Sequence, residues 1–198
     1  MQSEEAIKKF EVFVRATVVF NKESFALALP DFEVLRLEKG EFFIEEDKTC
    51  RHFAYVADGI IRAFYTNNGE EITTCLCSAN TFATSTISFI TQTPSNVNIQ
   101  ALTEVTLLTI SYEKLHSLYK KSDFWKLVGQ KIMEREFISL QQEVWRNNSM
   151  RPDEKYITLL KENPAIIRQV PLKHIASYLS VTPETLSRIR KRTARGIS

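Results

Sequence analysis

Residues 172–191 read Leu172-Lys-His-Ile-Ala-Ser-Tyr-Leu-Ser-Val-Thr-Pro-Glu-Thr-Leu-Ser-Arg-Ile-Arg-Lys191, and this stretch decides how the C-terminal end folds. Ile175, Ala176 and Leu179 recur at helical spacing and make one apolar stripe. Ser180 and Val181 form a turn, with Val181 as its plug. Thr182 is an N-cap residue, Pro183 suits the first helical position, and Glu184 sits in the positive first turn. Leu186 and Ile189 supply the inner face of a second helix, and Ala176 is small where the two helices approach. Two helices joined this tightly predict a helix-turn-helix. Glu184, Ser187, Arg188, Arg190 and Lys191 remain outside, as groups able to meet base edges and phosphates in a DNA major groove. The turn position that often holds Gly holds Ser180, which must adopt a left-handed or otherwise unusual conformation at modest cost.

Charge is distributed to match. The 198 residues carry a formal net charge of +2. Residues 151–198 hold ten Lys/Arg and four Asp/Glu, a net of +6, whereas residues 1–150 hold sixteen and twenty, a net of −4. A basic end on an acidic body predicts that only the end meets a polyanion. Arg188, Arg190, Lys191, Arg192 and Arg195 lie on or just beyond the second helix. A composition of 43% hydrophobic and 25% charged residues is that of an ordinary soluble globular chain. No apolar run reaches the roughly 18 residues of a membrane span. Met1-Gln-Ser-Glu-Glu is acidic and lacks a signal-peptide core, and Cys50, Cys75 and Cys77 make no secreted-disulfide framework. The expected location is the cytoplasm, without a membrane partner.

Residues 4–29 show helical spacing through Ala6, Ile7, Phe10, Phe13 and Val14, with a second short helix over Ser24–Leu29 stopped by Pro30. From Phe32 to Ser111 the texture changes to short runs rich in Val, Ile, Thr, Phe and Tyr, broken at Lys39-Gly40, Asp58-Gly59 and Asn68-Gly69. About eight antiparallel strands are expected, rolled or closed to manage their edges. Residues 123–147 contain no Pro and predict one long helix. Its apolar groups project on two sides: Phe124, Leu127, Val128, Ile132, Ile138 and Trp145 on one, Met133, Phe137, Leu140 and Val144 nearly opposite. Such a helix must be covered twice. Either the same helix of a second subunit covers the side its own β domain leaves, or the helix is buried within the chain; the scarcity of other long elements favours a dimer. Asn147-Asn148-Ser149 reads as a hinge, and a helix from Arg151 through Leu160, ended by Asn163-Pro164, completes a three-helix C-terminal unit. The class is α+β, divided at 1–122, 123–148 and 149–198.

This order of parts resembles the Crp/Fnr family of bacterial transcription regulators over nearly the whole chain. Local phrases carry the resemblance: Lys39-Gly40-Glu41 before a strand, Val56-Ala57-Asp58-Gly59-Ile60-Ile61-Arg62 across a hairpin, Ile110-Ser111-Tyr112 at the β-to-helix junction, and Thr185-Leu186-Ser187-Arg188-Ile189 in the recognition helix. It implies a cyclic-nucleotide-binding-like β-roll, a homodimer on palindromic double-stranded DNA, and RNA polymerase as a further partner. The family's recognition helix carries an Arg-Glu-x-x-x-Arg set. Pro183 stands at the first position, while Glu184 and Arg188 match the others. Arg188 would fork onto guanine O6 and N7, and Glu184 would accept from cytosine or orient the Arg. Thr182, Thr185 and Lys191 would touch phosphates, and Ser187 either. Family members usually continue into a β wing. Residues 192–198 are too short for one, and residues 164–172 too short for a preceding hairpin, so a bare helical unit relying on Arg190 to Arg195 for backbone contacts is expected.

The effector region departs from the family. Members that bind cyclic AMP hold its ribose with the Glu of a Phe-x-Gly-Glu segment and its phosphate with the Arg of an Arg-Ser pair. Here Phe82-Ala83-Thr84-Ser85 puts Ser85 at the Glu position, and Ser95 and Asn96 fall at Arg-Ser. Phe82, Ser85, Thr86, Ser95 and Asn96 mark where the pocket would lie. Without its Arg, a cyclic phosphate loses its strongest charge-assisted partner. No cyclic AMP response is expected, and the pocket is vacant, filled by side chains, or adapted to a less anionic molecule. An iron–sulfur cluster needs four thiolates and the chain has three. Cys75 and Cys77 read as small strand residues rather than a metal pair with His52 or His116, and His174 as structural or phosphate-facing. No metal or cofactor is expected. Three scattered histidines build no cupin-like enzyme site, and neither a Gly-rich phosphate loop nor a nucleophile elbow occurs, so the chain is not expected to be an enzyme. The competing expectation is a small-molecule-sensing β-roll whose C-terminal helices dock a protein.

Overall fold

The computed structural model describes residues 2–196. Met1, Ile197 and Ser198, and the Arg195 side chain counted with the basic cluster, lie outside what is described. The Val-, Ile- and Thr-rich segment forms eight strands among the described residues: β1 (Glu33–Leu37), β2 (Phe42–Ile44), β3 (His52–Asp58), β4 (Ile61–Asn67), β5 (Glu70–Cys77), β6 (Phe82–Ala83), β7 (Asn98–Ala101) and β8 (Val105–Ser111). They make two antiparallel sheets, ordered β1-β8-β3-β6 and β2-β7-β4-β5. Inward residues of both, among them Val56, Leu107, Ile61 and Ile99, share one apolar interior, so the sheets face each other as a β-roll. The turns match their residues. Asn68 and Gly69 both have positive φ, 51° and 85°, as a two-residue hairpin of primed type requires. Gly59 has φ 89°, and a Cβ there would strike the Glu104 carbonyl oxygen.

Helices α1 (Gln2–Thr17) and α2 (Lys22–Ala28) precede the roll, and α3 (Thr86–Thr91) interrupts it. Helix α2 starts two residues earlier than its pattern suggests because the Asn21 side chain accepts from the Ser24 amide at 2.8 Å. Pro30 lies in a following 3-10 turn, Leu29–Asp31. After the roll come α4 (Tyr112–Lys121) and the 27-residue α5 (Asp123–Ser149). Phe10, Phe13, Tyr55, Phe82 and Trp125 join α1, the roll and α5 in one aromatic core, and Trp125 Nε1 donates to the Ser24 carbonyl at 2.7 Å.

This core decides which part of α5 the chain's own β domain covers. Val128 and Ile132 are buried in it and Phe124 packs against it, because the first turns of α5 lie over the chain's own roll. Beyond Ile132 the helix projects past that cover, and Met133, Phe137, Leu140 and Val144 are 47–62% exposed. The expected hinge also moves. Asn147, Asn148 and Ser149 are helical, with the Ser149 hydroxyl donating to the Trp145 carbonyl at 2.6 Å. The break falls at Met150 and Arg151, whose ψ values are 143° and 157°. Pro152 causes it, since its ring clashes with a helical conformation in the residue before it.

The C-terminal unit has four helices among the described residues rather than three: α6 (Pro152–Glu162), α7 (Pro164–Gln169), α8 (Leu172–Tyr178) and α9 (Pro183–Gly196). Pro164 ends α6 and also opens α7, as a residue suited to the first helical position. Ser180 has φ 56°, the Val181 amide donates to the Ala176 carbonyl, and the Ser180 amide donates to the Ser177 carbonyl. That double closure is a Schellman cap with Ser where Gly is unstrained. Ser180→Gly is therefore expected to raise stability by roughly 0.5–1 kcal/mol. Urea denaturation would check this, and a lower midpoint would contradict it.

Candidate nucleic-acid interface

Helix α9 is fixed from behind. Leu186 (0% exposed) and Ile189 (5%) pack with Ile175, Ala176 and Leu179 of α8 and with Tyr156 and Leu159 of α6. The Thr182 hydroxyl accepts from the Thr185 amide at 3.2 Å and caps the helix as expected. With Leu186 and Ile189 inward, Thr182, Glu184, Arg188, Arg190 and Lys191 are exposed and Thr185 and Ser187 half-buried. Residues 184, 188 and 191 stack along one side, while Arg190 stands about 120° away from Glu184. A 3.3 Å contact from the Arg188 guanidinium to the Thr185 hydroxyl leaves most of its donors free. The Glu184 carboxyl is held below its ordinary value by its own backbone N–H and the Thr182 hydroxyl, with Arg188 adding to the effect. It therefore remains an acceptor at neutral pH. Arg192 lies 3.3 Å from Asp153 and links α9 to α6 through a surface ion pair.

Of the five residues expected around an effector pocket, the structure brings Ser85 and Ser95 into contact. Phe82 belongs to the aromatic core, 5.1 Å from both Phe13 and Phe53. Thr86 and Asn96 are exposed. Ser85 and Ser95 are buried, and their hydroxyls hydrogen-bond each other at 2.8 Å. The Ser95 hydroxyl also bonds the Val97 carbonyl at 2.7 Å. These two small groups carry no charge to set against an anion. A 230 Å³ cavity lies elsewhere, among Glu5, Lys9, Asp58 and Glu104, and an apolar groove runs between Phe137 and Trp145 on α5.

Cys75 and Cys77 share a face of β5 with their sulfurs 3.1 Å apart. The Cys75 thiol is pushed well up by its bond to Cys77 and by burial. His116 stacks on Tyr112 and bonds that residue's carbonyl at 2.8 Å.

One constellation escaped the sequence reading. Arg62 of β4 is 3% exposed, and its guanidinium lies over the Phe64 ring. It reaches Glu71 Oε2 at 2.7 Å, Gln100 Oε1 at 2.8 and 3.1 Å, and Nδ1 of His174 on α8 at 2.8 Å. Beside it the Thr73 amide donates to the Ser177 hydroxyl of α8 at 2.9 Å, and that hydroxyl donates to the Glu71 carbonyl at 3.1 Å. Ile60 and Leu102 of the roll belong to the apolar core of the C-terminal helices. The helix-turn-helix is thus docked on the roll by α8. The available signal was a lone cation ending the apolar Ile60-Ile61-Arg62, a group that must find partners if it is buried.

Residues 34–122 match the cyclic nucleotide-binding domain family. No curated protein matches the chain in sequence. Among solved structures it is similar to a regulator assigned to the Crp/Fnr family from Eubacterium rectale, at 19% identity and a TM-score of 0.67, covering 90% of this chain and 86% of that one. It is also similar to CLP of Xanthomonas campestris, described as a c-di-GMP responsive global regulator, at 16% identity and a TM-score of 0.66, covering 89% and 93%. A third likeness is to FixK2 of Bradyrhizobium japonicum, at 14% identity and a TM-score of 0.65, covering 84% and 86%. The likeness is one of fold: a cyclic-nucleotide-binding-type β-roll followed by helices in the order found in Crp/Fnr regulators.

Proposed function

We propose that this chain is a homodimeric, sequence-specific DNA-binding transcription regulator of Crp/Fnr type that does not respond to cyclic AMP. The observation that carries the reading is α9, a helix held rigidly from behind with Glu184, Ser187, Arg188 and Lys191 outward on a basic unit. In this division residues 1–122 are an effector-type domain, 123–148 the dimer helix and 149–198 the DNA-reading unit, working in the cytoplasm on a palindromic operator with RNA polymerase. No catalytic step belongs to it. The test is selection of bound duplexes from a random library by purified protein without ligand. Enrichment of a palindrome with half-sites about one helical turn apart supports the reading. Salt-sensitive binding without enrichment favours a β-roll whose helices dock a protein instead. On the selected site, Arg188→Ala is expected to cost about 1–3 kcal/mol and relax preference at one base pair per half-site. Unchanged preference would remove Arg188 from base readout.

Met133, Phe137, Leu140 and Val144 are spaced four, three and four apart, the interval of a two-helix seam. An apolar stripe this exposed supports pairing with the same stripe of a second copy. Phe137→Glu should convert a dimer to a monomer in sedimentation equilibrium. It should also weaken binding to the palindrome by about 10²-fold or more, since two half-sites no longer act together. A variant that stays dimeric would place the interface elsewhere.

The Ser85–Ser95 pair supports insensitivity to cyclic AMP, because a cyclic phosphate there would meet two mutually bonded hydroxyls in place of a guanidinium. Calorimetric titration with cyclic AMP should give no binding heat, and a micromolar dissociation constant would contradict this.

A further inference from the structure

The contact between Arg62 and His174 has a direction built into it. A guanidinium carries only donors and keeps its proton at any ordinary pH. Arg62 Nη1 lies 2.8 Å from His174 Nδ1, so Nδ1 must be the acceptor and the imidazole must be neutral, with its proton on Nε2. A proton on Nδ1 would set two donors and two positive charges against each other, with Arg62 3% exposed and His174 8% exposed. We propose that Arg62 and His174 form a proton-operated catch that holds the helix-turn-helix at a fixed place on the β-roll, closed while the imidazole is neutral and open once it is protonated. Arg62 is here a positioning residue: it touches no DNA, but it fixes α8 and through α8 the attitude of α9.

The charges that bear on His174 are Arg62 from β4, Lys173 from its own helix and Glu71 from β5. Burial first, then the charges of Arg62 and Lys173, lower the His174 pKa from an ordinary 6.5 to about 4, with Glu71 opposing them. When α8 is released, the ring regains its ordinary value. The released form therefore takes up a proton as pH falls through 6.5, while the docked form does not until about 4. Docking is at full strength above 6.5 and weakens by up to tenfold per pH unit below it, levelling off near 4. Between pH 7.5 and 5.5 the loss is about tenfold. Glu143 of α5, hydrogen-bonded to Tyr178 of α8, works the other way, because burial pushes its carboxyl up and favours its protonated form in place.

The reporter is the Thr73 amide. It lies on β5, at the edge of its sheet, and bonds across the docking contact to Ser177. Its exchange protection, read by NMR in the full chain and corrected for intrinsic rates, should fall about tenfold from pH 7.5 to 5.5. His174→Asn offers Arg62 an acceptor that does not titrate, and should abolish that fall while keeping the protection seen at pH 7.5. Arg62→Ala should already lose protection at pH 7.5; should that variant not fold, the comparison of wild type with His174→Asn decides. Protection independent of pH in the wild type, or an equal fall in His174→Asn, would overturn the catch. The consequence for DNA rests on the function proposed above: acid should weaken binding to a palindrome of fixed spacing in the wild type but not in His174→Asn. Because the exchange measurement contains no DNA, a Thr73 amide that opens with acid in a chain that binds no DNA would leave the catch standing and remove the DNA reading.

Discussion

Helix α5 is apolar around more of its circumference than any single neighbour can cover, and the rest of the molecule is arranged about that constraint. Its first turns are satisfied within the chain, where Trp125, Val128 and Ile132 close the aromatic core over the β1-β8-β3-β6 sheet. Its later turns meet the C-terminal helices only along the side of Glu143 and Arg146, and Phe137, Ile138, Leu140 and Trp145 are each more than half exposed. Fully burying one such side chain contributes about 1.5–3 kcal/mol, so leaving the row in water is a substantial cost that a second helix would remove. Where the helix ends is equally constrained, because Pro152 forbids the residue before it a helical conformation. The C-terminal unit must therefore turn away at Met150 and Arg151.

Having turned, that unit does not hang on a linker. It lies against the outer side of β4 and β5, joined by apolar contacts through Ile60 and Leu102 and by the polar cluster at Arg62. A buried guanidinium without partners would be strongly destabilising, and this one has a carboxylate, an amide oxygen, an imidazole and an aromatic face. The apolar part of the contact supplies adhesion, while the polar part sets the register. The Ser85–Ser95 pair gives the roll a different kind of self-sufficiency. The Ser95 hydroxyl meets Ser85 and the Val97 backbone, so both buried oxygens have protein partners without a ligand.

What could be read from the chain followed the range of the interactions. Strand turns at Gly59 and Asn68-Gly69, the Thr182 cap and the Ser180 turn are decided by one to four neighbouring residues, and all were legible. The polar run Asn147-Asn148-Ser149 misled, because a helix already formed propagates through poor helix formers until something stops it, and the stop was Pro152. Projection found two apolar sides on α5 but could not tell which residues its own roll would cover, since that depends on where along its length the helix is seated. Short runs hid α7, whose Ile166 and Ile167 are buried among elements remote in sequence. Arg62 and His174 are 112 positions apart, and neither carries a local sign of the other. The pocket residues were placed by counting along a pattern, which located Ser85 and Ser95 but not their bond to each other.

Gly129 has a consequence well beyond its own surroundings. A Cβ at this position would strike the Tyr119 hydroxyl and ring, so its absence lets α4 lie close against α5 near the end where α5 is anchored. From there the helix runs unbroken to Ser149. The arm from Gly129 to Ser149 is about 30 Å long, so a tilt of about 5° at the seat carries its tip through about 2.6 Å. The α4–α5 seat therefore acts as the fulcrum of a long lever, and any tilt that a side chain at Gly129 imposed would be magnified toward Ser149.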